Sequence, residues 1–477
     1  MKPLILCAML ALAGCTTIGT DFVEPAGSAA PAWRHAASPA DSARLPAAWW
    51  NVFDDATLNE LEERVVRDNP GVKASAQRLL QAQAQLSNLK SAQGPSVNLG
   101  VSAANSRTSA ETAQALALGG RSIKGDNYTV GASLSYELDL WGRVRRVVEA
   151  ADAQALATQD ERDGVILLLS AQVAQTYWQL RGLDVELAIL KDALKARGEA
   201  QDVVEARLNG GLTNELDVAR ARIERANAEA DLHEVQRQRN LLEHGLAVLT
   251  GVSPSSSLIA ARQAAVLPEP PAIPVGLPAS LLSQRPDLAA SVAGLRAANA
   301  QVAVAEGAFY PSLSLTGNFG FASESLSNLA TGGARQFSIG PLALSLPLFD
   351  GGRNKSNLAL QKARYGEALA NHEGKLLTAL REVEDALSDV QQRQQQGQVQ
   401  ALSQQAAARA VLVANARYER GLSTYLDVTD AQRSSLAADR AAAQIRTQRL
   451  LAAVAVARSL GAGWTPQAPV ATIANAK

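Results

Sequence analysis

The sequence predicts a mixed α/β membrane protein, in which long coiled-coil hairpins carry membrane-length β-strands, on three observations. First, the chain repeats itself. Arg207-Leu208-Asn209-Gly210-Gly211-Leu212-Thr213-Asn214-Glu215-Leu216-Asp217-Val218 returns 210 residues later as Arg417-Tyr418-Glu419-Arg420-Gly421-Leu422-Ser423-Thr424-Tyr425-Leu426-Asp427-Val428. Gly142-Arg143 returns as Gly352-Arg353 at the same offset, and Asn69-Pro70 and Gly94-Pro95 return as Arg285-Pro286 and Tyr310-Pro311 at 216. Second, apolar and polar residues alternate with period two in four runs. Third, two long segments without proline, between Pro95 and Pro254 and between Pro347 and Pro466, carry apolar residues in steps of three and four. Two copies of one element order account for the duplication better than two unrelated domains.

The elements follow in chain order. Residues 1–14 read as a signal peptide: Lys2 precedes the apolar run Leu4 to Ala11, far short of the ~20 residues that span a bilayer. Leu12-Ala13-Gly14-Cys15 resembles the bacterial lipobox, whose cysteine becomes the acylated first residue, and Thr16, in place of Asp, directs such lipoproteins to the outer membrane. Loss of Cys7 and acylation of Cys15 leave no thiol for disulfides, zinc or catalysis, so the only covalent group expected is the lipid on Cys15. Two or more acyl chains anchor stably where one does not. Residues 15–69 form an N-terminal tail and a first short helix.

The first repeat, 70–250, opens with a helix from Pro70 to Gln93. Val97, Leu99, Val101 and Ala103 then alternate with Asn98, Gly100, Ser102 and Ala104, and Tyr128, Val130, Ala132, Leu134, Tyr136 and Leu138 alternate with polar or small residues. This is the strand period, and each run reaches the 9 to 11 residues of a tilted membrane-spanning strand. Leu180, Leu183, Leu187, Leu190 and Leu194 make a heptad seam, as do Leu232, Val235, Leu242, Leu246 and Leu249 with Arg239 interposed. A helix from Arg143 to Leu208 would be roughly 100 Å long, and a return helix from Asn214 to Thr250 follows it.

Residues 251–285 are a proline-rich linker, including Pro268-Glu269-Pro270-Pro271, which neither helix nor central strand tolerates. The second repeat, 286–462, restates the order: a helix from Pro286 to Gly307, a strand with Leu313, Leu315, Phe319 and Phe321, and a strand with Phe337 and Ile339. That strand slips one residue to Leu342, Leu344 and Leu346, so a bulge is expected at Gly340-Pro341. The long helix Arg353 to Glu419, with its seam Leu376, Leu380, Val383, Leu387 and Val390, and the return helix Thr424 to Leu460 complete it. Residues 463–477 are a C-terminal tail. In each half the two shorter helices, placed end to end, nearly match the long one, so two short helices are expected to stack against it. Four strands cannot close a barrel, and an open sheet edge is not permitted in lipid, so other copies must complete the sheet; two or three copies satisfy the arithmetic.

Other chemistry is sparse. Lys plus Arg (45) and Asp plus Glu (46) nearly cancel, which leaves no basic face for a phosphate backbone and argues against a nucleic-acid partner. The 4% aromatic content matches long helices packed through small side chains. His233 and His244 lie on one helix face but ~16 Å apart, too far to share a metal. Gly352-Arg353-Asn354-Lys355-Ser356 lacks the Gly-Lys-Ser/Thr of a phosphate loop, and Gln391 to Gln398 sits inside a heptad segment as a polar helix face. No nucleophile–base set is visible, so no enzyme is expected, and no metal or cofactor.

The residues resemble the outer-membrane efflux proteins of TolC and OprM type over nearly the whole mature chain. The most specific segment is Leu277-Pro278-Ala279-Ser280-Leu281-Leu282-Ser283-Gln284-Arg285-Pro286-Asp287-Leu288, continuing through Ala297-Ala298-Asn299-Ala300 to Phe309-Tyr310-Pro311-Ser312-Leu313-Ser314-Leu315-Thr316-Gly317. With the lipobox, it is similar to the lipoprotein branch serving resistance-nodulation-division pumps. The resemblance implies a homotrimer with a 12-stranded outer-membrane β-barrel and a periplasmic α-helical barrel. It also implies export of substrates received from an inner-membrane pump and a periplasmic adaptor. Adaptor-docking tips then match Gly211-Leu212 and Gly421-Leu422. The periplasmic gate matches Leu426 as constriction, Asp427 and Asp430 as acidic positions, and Asp217 and Tyr418 as ties between hairpins. Ser423 stands where one family member has Arg, which leaves Arg417 and Arg420 as cations in reach. The alternatives are a type I protein-secretion duct and, in another class, a periplasmic adaptor or structural coiled-coil lipoprotein.

Overall fold

The structure, a computed structural model, describes residues 17–25, 32–35, 45–117, 119–260, 266–275 and 284–466. Cys15, the signal peptide, Leu277 to Ser283 and the end of the C-terminal tail lie outside the described residues. A short helix α1 (Ala56–Asp68) precedes α2 (Pro70–Ser91), β1 (Ser96–Arg107), β2 (Lys124–Leu138), α3 (Arg143–Asn209) and α4 (Glu215–Leu249). The order then recurs as α5 (Pro286–Gly307), β3 (Ser312–Ser323), β4 (Arg335–Ser345), α6 (Arg353–Glu419) and α7 (Tyr425–Ser459). Equivalent helices match in length: α3 and α6 have 67 residues, α4 and α7 have 35, α2 and α5 have 22. The chain divides into two compact units.

The strand unit holds one antiparallel sheet in the order β1-β2-β3-β4. Over the middle of the sheet its register separates an apolar face from a polar one. Leu99, Ala132, Phe319 and Phe337 form one row, and Val97, Leu134, Gly317 and Ile339 the next, with Tyr136, Leu315 and Leu342 beyond. On the other face lie Asn98, Ser133, Asn318 and Ser338, then Gly100, Gly131, Gly320 and Gln336. The expected bulge is present: two residues, Gly340 and Pro341, stand against Thr316 alone where the β3–β4 register shifts. Gly131 and Gly320 face each other so closely that a Cβ on Gly131 would sit 3.1 Å from the Phe319 carbonyl oxygen. The polar face is the hollow one; a trough of about 490 Å³ runs over Gly100, Ser102, Thr129, Gly131, Ser133, Asn318 and Gln336.

Both long helices start on an acidic cap. Asp139 accepts from the N–H groups of Val144 and Arg145 at 3.0 and 2.8 Å, and Asp350 from those of Gly352 and Asn354 at 2.9 and 2.8 Å. The N-terminal strap Ile18–Asp21 is held by the buried Arg146 guanidinium, which reaches Ile18 O, Gly19 O and the Asp21 carboxylate. Helix α5 is long and apolar enough, by composition alone, to cross a bilayer. Its small side chains are instead used in packing, Ala293, Ala297, Ala300 and Ala303 being buried.

In the helical unit the core gathers Trp49, Phe53, Leu58, Tyr177, Trp178, Leu180 and Leu450. The heptad seams are the buried stripes: Leu187 and Leu190 meet Val235, while Leu376, Val383 and Leu387 pack with Leu288 and Val456. The short helices meet end to end. Asn69, before α2, donates to Leu249 O at the end of α4 at 2.7 Å. Arg285, before α5, donates to Ser459 O at the end of α7 at 3.0 Å. Each thus satisfies a carbonyl that a helix C-terminus leaves orphaned. Arg285 is itself clamped by Asp287 and Glu382, and those carboxylates push its guanidinium pKa up against the opposing effect of burial.

Candidate gate at the hairpin tips

Each hairpin reverses in five residues, 210–214 and 420–424, by the same device. After α3, Gly211 adopts φ +71°, its N–H donates to Leu208 O at 2.9 Å, and the Leu212 N–H donates to Arg207 O at 2.8 Å. After α6, Gly421 adopts φ +70°, with Gly421 N–H to Tyr418 O and Leu422 N–H to Arg417 O, both 2.9 Å. This is the Schellman closure, which a left-handed glycine permits. It leaves Leu212 and Leu422 pointing into solvent, 77% and 65% exposed. Two exposed leucines, one at the tip of each hairpin, are apolar surface held out by the backbone.

The return helices begin on caps. Asn214 accepts from the Asp217 N–H at 3.1 Å, and the Asp217 carboxylate accepts from Thr213 Oγ1 at 2.7 Å. At the second tip the Asp427 carboxylate accepts from the Thr424 N–H at 3.1 Å and Thr424 Oγ1 at 3.3 Å. Within one chain, therefore, Asp427 and Asp217 each stiffen the start of their own helix. Asp430, one turn on, is exposed and lies 3.7 Å from Arg433. Leu426 is 40% exposed.

The two tips are joined by a small apolar cluster, Val204, Val218, Ala221, Tyr425 and Val428, flanked by Leu208 and Tyr418. The Arg207 guanidinium stacks 4.5 Å above the Tyr418 ring, which tilts 5.6 Å from Tyr425. Burial pushes the Tyr425 hydroxyl up to about 12, so it stays a neutral packing group. The structure brings Asp217 and Tyr418 to one region but does not bond them: Tyr418 Oη and Ser423 Oγ are buried without a hydrogen-bond partner. Arg417 reaches only Leu422 O of its own turn, at 3.5 Å.

One tie was missed in the sequence. Glu224 of α4 is buried and shared between two arginines: Arg197 of α3 at 3.3 Å and Arg433 of α7, whose Nε lies 2.8 Å from Glu224 Oε1. Further along the same helices Arg440 bridges Glu186 and Asp231, and Arg239 joins Asp184 and Glu243. The signal was present, since Glu224 occupies the buried stripe between Ala221 and Ala228, a position where charge survives only when paired. Among the described residues, no group of His, Cys, Asp or Glu could hold a metal ion.

Known proteins give the same outline. The model of the family described as Outer membrane efflux protein matches residues 63–252 and 277–462. Outer membrane protein OprJ of Pseudomonas aeruginosa is 34% identical over 95% of this chain and 94% of its own. The probable outer membrane lipoprotein SilC of Salmonella typhimurium is 28% identical over 97% and 99%. The crystal structure of the Campylobacter jejuni CmeC outer membrane channel superposes with a TM-score of 0.87 at 25% identity, covering 95% of this chain and 96% of that one.

Proposed function

The chain belongs to the outer membrane efflux protein family and is the outer-membrane exit duct of an efflux system, and on that premise we propose how it is built and gated. Three copies join their four-stranded sheets into one 12-stranded barrel, apolar face to lipid and polar face to a water-filled pore, and their hairpins into a periplasmic helical barrel. The observation that carries this is the sheet itself: its apolar face is bare, its polar face is hollow, and β1 and β4 each present an edge unpaired by any described strand. In lipid such edges require partners. The pore end of the hairpins is closed by Leu426, Asp427 and Asp430 converging from three copies, with Asp217 and Tyr418 on the flanking tips. Gly211-Leu212 and Gly421-Leu422 present the apolar knobs that a periplasmic adaptor takes, and a resistance-nodulation-division pump supplies substrate. Lipid on Cys15 anchors the same end of the chain that Arg146 straps down. Drugs and other toxic small molecules are the cargo class. A soft-metal relay is disfavoured because both methionines, Met1 and Met9, precede Cys15. The protein-secretion reading is weakened by the lipobox and the Arg285-Pro286-Asp287 joint.

The test is accessibility through water. With Ser133→Cys a small hydrophilic thiol reagent is expected to react in intact outer membranes, and with Leu134→Cys it is not. Equal labelling would remove the barrel reading.

A further inference from the structure

On the barrel reading above, we infer that the membrane segment of this duct is electrically neutral and passes solutes without regard to their charge, so the barrel admits cations, anions and zwitterions alike. The register supplies the argument. Read in sequence order, the pore-side face carries Ser96, Asn98, Gly100, Ser102, Ala104 and Ser106 on β1, and Gly125, Asn127, Thr129, Gly131, Ser133, Ser135 and Glu137 on β2. Ser312, Ser314, Thr316, Asn318, Gly320 and Ala322 line it on β3, and Gln336, Ser338, Ala343 and Ser345 on β4. Glu137 is the single acidic or basic side chain among them; just beyond β3 the Glu324 carboxylate lies against the pore-face position of Gly125 at the outer end, about 13 Å from Thr129 along the strand. Glu137 sits at the inner end, where Arg143 neutralises it through three hydrogen bonds of 2.7 to 3.1 Å. The other strand charges, Arg107, Lys124, Asp126 and Arg335, share the register of the opposite face. From Glu137 to Ser133 is ~13 Å along the strand and to Thr129 ~27 Å, both beyond the ~8 Å screening length at physiological salt.

Charge discrimination in pores comes from rings of charged side chains or from focused carbonyl dipoles. Three copies of this face would stack rings of Ser, Asn, Thr and Gly, which offer hydroxyl and amide partners much as water does. No large apolar side chain lies on the face to hold a lipophilic solute. The row Gly100-Gly131-Gly320-Gln336 leaves one side chain per copy at mid-height, and that one is an uncharged amide. Selection by charge then lies outside the sheet, in the helices or at the hairpin tips where Asp427 and Asp430 stand.

The experiment reads the potential directly. Ser133→Cys and Thr129→Cys proteins in outer-membrane vesicles are reacted from outside with cationic trimethylammonioethyl and anionic sulfonatoethyl methanethiosulfonate. The ratio of the two rates is divided by the ratio for a free thiol in solution, and the unsubstituted protein is the blank. One kT/e of local potential would move this ratio about sevenfold. A normalised ratio within fivefold of unity at both positions supports neutrality. A ratio beyond fivefold at either position overturns it, while leaving the water-filled barrel intact. Adding Asn318→Asp beside Ser133→Cys is expected to move the ratio toward the cation by more than fivefold, which establishes that the assay senses charge. If neither reagent reacts at Ser133→Cys, or Leu134→Cys reacts equally, the barrel reading falls and the inference with it.

Discussion

At the residue scale, the least expected group is Glu62 of α1, wholly buried beside the aromatic core. Trp49 Nε1 donates to Ser170 Oγ at 3.1 Å, and Ser170 Oγ donates to Glu62 Oε2 at 2.6 Å, while Glu62 Oε1 has no hydrogen-bond partner. Burial outweighs the serine hydrogen bond and raises the carboxyl to about 8, so it is protonated at neutral pH. The sign follows from linkage. A folded pKa above the unfolded value favours the native state fully below pH ~4.5, and this contribution is lost as pH rises from there toward 8. Glu62→Gln keeps the shape and removes the titration. Its melting temperature is expected to exceed that of the parent at pH 8 and to match it at pH 5; a constant offset at both values would show that Glu62 does not titrate in the fold. Asp160, raised to about 7 by burial and then by the Asp163 charge, adds a slope of the same sign in the same interval.

Among the helices, two kinds of joint do different work. The tip turns are set by local backbone chemistry and recur in both halves because the same residues recur. The Arg197–Glu224–Arg433 triad is tertiary, tying α3, α4 and α7 behind the tips. Asp427 caps α7, so Asp427→Ala is expected to cost about 1 kcal/mol at the helix start, loosen the tip and raise resting single-channel conductance. Asp430 faces solvent, so Asp430→Ala is expected instead to lower cation preference and sensitivity to divalent ions while conductance stays near the parent value. Glu224→Ala takes the carboxylate from the buried Arg197, which keeps the main-chain oxygen of residue 224 at 2.8 Å, and from the exposed Arg433. It is expected to destabilise by roughly 3 kcal/mol, where Glu224→Gln, still able to accept from one arginine, costs less. Recording the Asp427 and Asp430 variants side by side separates a latch from a filter; unchanged conductance and selectivity in both would reduce the pair to a solvated helix start. Thermal melts of the two Glu224 variants rank the triad: equal losses would mean that the charge, absent from both, carries the tie and that the neutral acceptor kept by Gln adds nothing.

For the whole molecule, the proposed lipid on Cys15 and the proposed barrel would be redundant membrane attachments of unequal strength. Cys15→Ala is expected to abolish incorporation of labelled palmitate and to slow processing, with some export surviving because the barrel still holds the protein in the membrane. Full palmitate labelling of that variant would place the lipid elsewhere. The strap Ile18–Asp21, fixed on Arg146, gives the segment following Cys15 a defined place on the strand unit, which a lipid tether alone does not require.

The sequence by itself determined the period of every strand and the extent of the long helices. Alternation such as Tyr128 to Leu138 and the seam Leu376 to Val390 are local regularities that need no distant partner to be read. The tip turns were legible for the same reason: Gly211 and Gly421 must take a left-handed φ, and only neighbouring carbonyls answer their N–H groups. The bulge opposite Thr316 was legible because a one-residue slip flips every later side chain. Tertiary structure alone decided what each polar residue binds. Asn69 and Arg285 read as helix starts, yet each also covers the carbonyl end of another helix, 180 and 174 residues away in the chain. Asp427 read as a gate acid and turns back onto Thr424. Glu224 and Glu62 are both buried, one shared by two arginines and the other neutral. Hydrogen bonds and ion pairs of this kind depend on which helix faces meet, and that depends on distances in space that no short-range pattern of residues encodes.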